Sequence, residues 1–153
     1  MGYEVERVRP VSTQPATEQQ RVKAPQLPED APKFLLNAVQ RARAQQRALV
    51  LDFWATWCAP CILLEKETLN DEAVKKLLTQ VELVRIDLDK HPQLAELYAV
   101  KSVPNVVFVD ADGFIVDRLQ RFEPPAEFAS RLERLIGEER PGPSGAEGAN
   151  KTP

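Results

Sequence analysis

Cys58 and Cys61 stand just after a nearly continuous apolar run, Ala48–Trp54, that is broken only by Asp52. Such a run suits a central strand buried on both faces. Pro60, inside the pair, suits the first turn of a helix, where its missing N–H is tolerated. Residues three apart on a helix share a face, so the two sulfurs approach bonding distance without large backbone strain. The segment therefore reads as strand, turn, helix, with a thiol pair at the turn.

Helical and extended patterns alternate around it. Asp30 is expected to cap a helix running to about Gln46, with Pro32 in its first turn and Phe34, Leu35, Ala38, Val39 and Ala42 along one face. The helix that starts near Cys58 should continue past Glu65. Asn70 or Asp71 then caps a stretch with Val74, Leu77 and Leu78 at helical spacing. Leu83–Leu88 reads as a strand and Pro92–Ala99 as a short helix. Asn105–Val109 and Phe114–Leu119 flank Asp110–Gly113 and predict a hairpin. Pro124 and Pro125 open a closing helix with Phe128, Leu132, Leu135 and Ile136 on its buried side. This order predicts an α/β layer fold with a central mixed sheet flanked by helices. An edge strand around Arg21–Leu27 has only weak support in the pattern.

Composition sets the domain limits. Seven of the 13 prolines and five of the six glycines fall in residues 1–28 and 137–153, whereas nine of the ten aromatics lie between. Segments this poor in large apolar side chains do not offset chain entropy. Residues 29–136 are the expected folded domain, with disordered tails at 1–28 and 137–153.

Twenty basic against 23 acidic residues gives no nucleic-acid footprint. No apolar run approaches the roughly 20 residues of a membrane span. No signal pattern opens the chain, and Glu6 stands where myristoylation requires Ser or Thr. The expected compartment is the cytoplasm as written, or the periplasm if the N-terminus has been trimmed. Two Cys and one His fall short of the four ligands of a structural zinc site in a monomer. Ile62 follows Cys61 where covalent haem attachment requires His. Neither a metal nor an organic cofactor is expected, because the cysteines themselves store electrons.

At a helix N-terminus, free N–H groups and the helix dipole favour a thiolate at Cys58, while Cys61 lies one turn deeper and more shielded. That asymmetry suits thiol–disulfide exchange, with Cys58 exposed and attacking and Cys61 resolving the mixed disulfide. The alternative is two structural thiols that never react.

Phe53–Cys61, read as Phe-Trp-Ala-Thr-Trp-Cys-Ala-Pro-Cys, resembles the active-site segment of the thioredoxin superfamily. Asp52 falls where that family carries a buried acid, Asp87-Leu88-Asp89 ends the next strand, and Val103-Pro104 matches the residue pair with a cis-proline that faces the cysteines. Glu65-Lys66, Thr68, Asp71, Val74, Lys76 and Leu77 repeat the spacing of the C-terminal periplasmic domain of DsbD-type thiol:disulfide interchange proteins. The resemblance covers about residues 47–136 and implies a thioredoxin fold. It also implies that Asp52 and Glu65 are the acids that hold up the thiol pKa values, with an unpaired carboxylate relaying a proton. Glu65, four residues after Cys61, would share its helix face. Trp57, Ala59, Pro60, Val103 and Pro104 are the implied substrate contacts. Trp54 is expected to pack, Tyr98 to lie in the core, and His91 to sit in a loop with no chemical task.

Several residues depart from the thioredoxin pattern. Ala59-Pro60 replaces Gly-Pro, Asn105 replaces Thr after the proline, and Arg85 stands in place of Lys, cationic but unable to titrate near neutral pH. Arg121-Phe122 occupies the place of a groove-lining Gly, where an Arg narrows or recharges the partner groove. The expected protein is a monomeric protein-disulfide reductase, with disulfide-containing client proteins and an upstream dithiol reductant as partners. The rivals are a dedicated extracytoplasmic reductase for cytochrome c or copper-site thiols, and a non-enzymatic binding module of the same fold.

Overall fold

The computed structural model describes residues 21–138. The chain builds β1 (Val22–Lys23), α1 (Lys33–Gln45), β2 (Leu49–Trp54), α2 (Ala59–Leu63), α3 (Glu72–Leu78), β3 (Glu82–Asp87), α4 (Pro92–Leu97), β4 (Asn105–Val109), β5 (Phe114–Leu119) and α5 (Pro125–Glu138). The sheet runs β1-β5-β4-β2-β3. β2 pairs in parallel with β3 and antiparallel with β4, and β5 is antiparallel to both β4 and β1. This is the mixed sheet of a thioredoxin fold.

Alternation along the central strands divides the core in two. Leu49, Leu51 and Phe53 of β2, with Val107 and Val109 of β4, meet Leu35, Ala38 and Ala42 of α1 and Leu94 and Ala95 of α4. Val50, Val106 and Phe108 face the other way, onto Leu64, Leu69, Val74 and the Phe128, Leu132 and Leu135 stripe of α5. Residues two apart on a strand share a face, so Asp52 is directed to this second side, the side roofed by the helix that follows the cysteines.

Several local expectations are corrected. Pro32, with φ −55° and ψ 135°, occupies the N-cap of α1 and no side chain caps that helix, so Asp30 is not its cap. The residue before a proline is pushed out of the helical region, which keeps the helix from starting at Asp30. The helix after Cys61 is not regular, because Leu64–Leu69 widens into a π turn. Asp71 rather than Asn70 caps α3, accepting the N–H groups of Ala73 and Val74 at 3.0 and 3.1 Å. In the N-terminal region expected to be disordered, Val22 and Lys23 pair with Ile115 and Phe114, and Ala24 and Leu27 pack on the first core. Residues 1–20 of that tail, and residues 139–153 of the other, lie outside the described residues. Among the described residues no helix is long and apolar enough to cross a membrane.

Candidate active site

Cys58 ends the turn after β2 as the N-cap of α2, in extended backbone with φ −89° and ψ 99°. Its Sγ accepts the Cys61 N–H at 3.2 Å. An N-cap side chain normally satisfies one of the donors a helix leaves free at its start, and here a sulfur takes that place. Pro60 sits in the first turn and needs no partner for nitrogen. The two cysteines are joined as a disulfide, with Cα atoms 5.2 Å apart.

Cys58 is 4% exposed and Cys61 1%. Cys61 is the more shielded of the two by a small margin, but Cys58 is not the exposed sulfur expected: it is buried with Cys61 in one small cluster. Ala55, Trp54 and Val103 pack against the pair. The Val103–Pro104 peptide is cis, and Pro104 is buried at the entrance to β4. Ala59 and Pro60 are exposed on the rim. Trp57 is 66% exposed, and its indole Nε1 donates to Asp89 Oδ2 at 2.8 Å. The sequence marks Asp89 only as part of the Asp87-Leu88-Asp89 strand end; its pairing with Trp57 comes from its position two residues past β3.

The two acids are not arranged as expected. β2 and β3 pair in register, with Asp52 opposite Arg85. Arg85 Nε donates to Asp52 Oδ2 at 3.0 Å, and its Nη1 lies 2.8 Å from Glu65 Oε1. The guanidinium also covers the Trp54 ring at 4.6 Å. Asp52 is therefore a paired carboxylate, and Glu65 reaches Arg85 from the π turn. A parallel strand pairing places the cation between the two acids, which helix spacing alone does not reveal. One oxygen of Asp52, Oδ1, is buried without a partner.

Burial pushes the Asp52 carboxyl up from its ordinary value of 3.8; the Arg85 hydrogen bond and charge oppose this, and the Glu65 charge adds to it. Tyr98 lies in the core, its hydroxyl pushed up by burial. His91 stands at the N-cap position of α4 with its ring edge-on to Phe34 at 5.2 Å. Among the described residues no group of three or more His, Cys, Asp and Glu is placed to hold a metal ion.

A second polar cluster braces the loop beyond β5. Thr68 Oγ1, on the π turn, donates to the Glu123 carbonyl at 2.6 Å. Arg131 of α5 forks onto the Glu123 carboxylate at 2.9 and 2.7 Å and also bonds Asp117. Bidentate Arg–carboxylate pairs add geometric definition as well as energy.

A disulfide capping the helix after the central strand, packed against the residue that precedes a cis-proline, defines a dithiol–disulfide protein of the thioredoxin fold. Residues 35–136 match the thioredoxin-like domain family, and the chain belongs to that family of thiol–disulfide oxidoreductases. It is 29% identical over 95 residues to a thioredoxin of Staphylococcus aureus, covering 62% of this chain and 88% of that protein. The oxidised C-terminal domain of DsbD from Neisseria meningitidis superposes with a TM-score of 0.60 at 27% identity, covering 67% of this chain and 93% of that one. A thioredoxin from Thermus thermophilus gives 0.61 at 26% identity, covering 76% and 92% respectively.

Proposed function

We propose that the chain is a protein-disulfide reductase. The observation that carries this reading is the Cys58 sulfur held at the N-cap of α2, on the Cys61 N–H. The same N–H and the helix dipole favour a thiolate there once the pair is reduced. The Cys58 thiolate attacks a client disulfide, forming a new S–S bond while the departing client sulfur carries away the electron pair and takes a proton. Cys61 then yields its proton, with Asp52 Oδ1 as the acceptor, and attacks the Cys58 sulfur. The client leaves as a dithiol and the Cys58–Cys61 bond re-forms. A dithiol reductant returns two electrons and two protons, so no organic cofactor or metal takes part.

Trp57, Ala59, Pro60, Val103 and Pro104 form the client-contacting rim in this reading, and Asp52 and Glu65 tune the thiols through Arg85. The likeness to the DsbD C-terminal domain supports a second reading, a reductase dedicated to particular clients, of which cytochrome c or copper-site thiols outside the cytoplasm are one instance expected from the sequence. The test of the proposal is catalysed reduction of insulin disulfides, followed by turbidity, with dithiothreitol as electron source. The expected result is acceleration in proportion to protein added. A rate equal to that of dithiothreitol alone contradicts the proposal.

A further inference from the structure

We propose that Arg121 selects clients that carry an acidic side chain next to the target cysteine. This rests on the reading of Cys58 as the attacking sulfur and adds a substrate preference to it. The β4–β5 ladder pairs Val107 with Arg118 and Val106 with Leu119. The Val106–Leu119 pair is the last of that ladder, so Arg121, two residues past β5, and Pro104, just before β4, leave the same end of the sheet, and Val103 beside Pro104 packs on the cysteine pair.

Arg121 is held there by its neighbours. Phe122 packs on the second core, and Glu123 is 5% exposed, pinned through its carbonyl by Thr68 and through its carboxylate by Arg131. Arg121 itself is exposed, and none of the ion pairs among the described residues includes it. Lys101, three residues before Pro104, is exposed and equally outside those pairs.

Of the acids near the cysteines, Glu65 is paired with Arg85, whereas Asp89 accepts the Trp57 indole N–H and keeps its charge beside Trp57. Three of the five exposed large apolar side chains among the described residues, Trp57, Ile62 and Leu63, stand next to Cys58 or on α2. The face offered to a client thus has apolar side chains and the Asp89 charge on the side of Trp57 and α2, and cations on the side of Arg121 and Lys101. Its complement is a segment with an apolar residue on one flank of the cysteine and Asp or Glu on the other. Charge complementarity of this exposed kind acts mainly through the rate of encounter.

The test uses the reduced full chain and two peptides, each with one cysteine activated as its mixed disulfide with thionitrobenzoate. They differ only in carrying Asp or Lys beside that cysteine. The Cys58 thiolate attacks the peptide sulfur; the new S–S bond forms as thionitrobenzoate leaves with the electron pair, and its colour gives the rate. The Asp peptide is expected to react about two- to five-fold faster than the Lys peptide, the range of an exposed charge pair. The ratio should fall to near one in Arg121→Ala and invert in Arg121→Glu, and it should shrink in about 1 M salt, where the screening length is roughly 3 Å. A ratio unchanged by both substitutions overturns the assignment of Arg121 alone. Failure of Cys58 to react with either peptide overturns the exchange chemistry, and this proposal with it.

Discussion

Replacing Arg85 with leucine is expected to destabilise the fold by about 3 kcal/mol at neutral pH. The side chain of Asp52 is 3% exposed, and removing its cation leaves a buried carboxylate with both oxygens unpaired. Breaking a buried ion pair from one side costs roughly 3–5 kcal/mol; the lower end applies because Arg85 is 26% exposed and water reaches its outer edge. For a domain of this size that corresponds to a fall of roughly 10–20 °C in Tm.

The loss carries a pH signature. Burial already raises the Asp52 carboxyl in the folded chain above its ordinary 3.8. The folded state therefore binds the proton more tightly than the unfolded state. Asp52 contributes most below about 3.8, and that contribution is lost as pH rises through the higher folded value. Leucine at position 85 removes both influences that hold the value down, so the loss extends to higher pH. The deficit of Arg85→Leu should be small in acid and full at neutrality, as read from denaturant midpoints across the range. Replacing Asp52 with asparagine in the same chain should recover most of it, since the charge that lacked a partner is gone. A deficit under about 0.5 kcal/mol, or one independent of pH, shows that Arg85 does not support Asp52.

The second large effect separates the two cysteines. Cys58→Ser should reduce client turnover to the uncatalysed rate, because no other thiol stands at the helix start. Cys61→Ser should keep the first attack and lose the second, so each molecule stops as a mixed disulfide on Cys58. Mass spectrometry of the alkylated adduct distinguishes the two. An adduct on Cys61 in Cys58→Ser that forms as fast as that on Cys58 in Cys61→Ser would reverse the roles. No adduct in either variant would leave the pair as a structural crosslink.

What could be read beforehand follows from the range of each interaction. The buried strand β2 was legible because its apolar residues are contiguous, and the cysteine turn because Pro60 and the i, i+3 spacing are local. The hairpin was legible from Gly113, which takes φ +88°, a conformation glycine adopts without steric cost. The π turn at Leu64–Leu69 was not, since one extra residue in a helical turn leaves the apolar pattern almost unchanged.

The ion pair of Asp52 with Arg85 depends on strand order and parallel register, which join residues 33 positions apart. Nothing in either segment alone specifies that meeting. β1 eluded firm prediction for the opposite reason: it is two residues long and exists through its pairing with β5. Asp52, Glu65 and the cysteines were all recognisable as candidates. Their linkage through Arg85 and Trp54 is a property of the folded sheet.

The most direct measurement is the equilibrium of the Cys58–Cys61 pair with thiol–disulfide buffers of graded composition, followed by Trp fluorescence and thiol alkylation. A reductase is expected to show a reversible two-electron transition between about −200 and −270 mV. A midpoint near −120 mV, where strong oxidants lie, or a disulfide that does not exchange at all, contradicts the account.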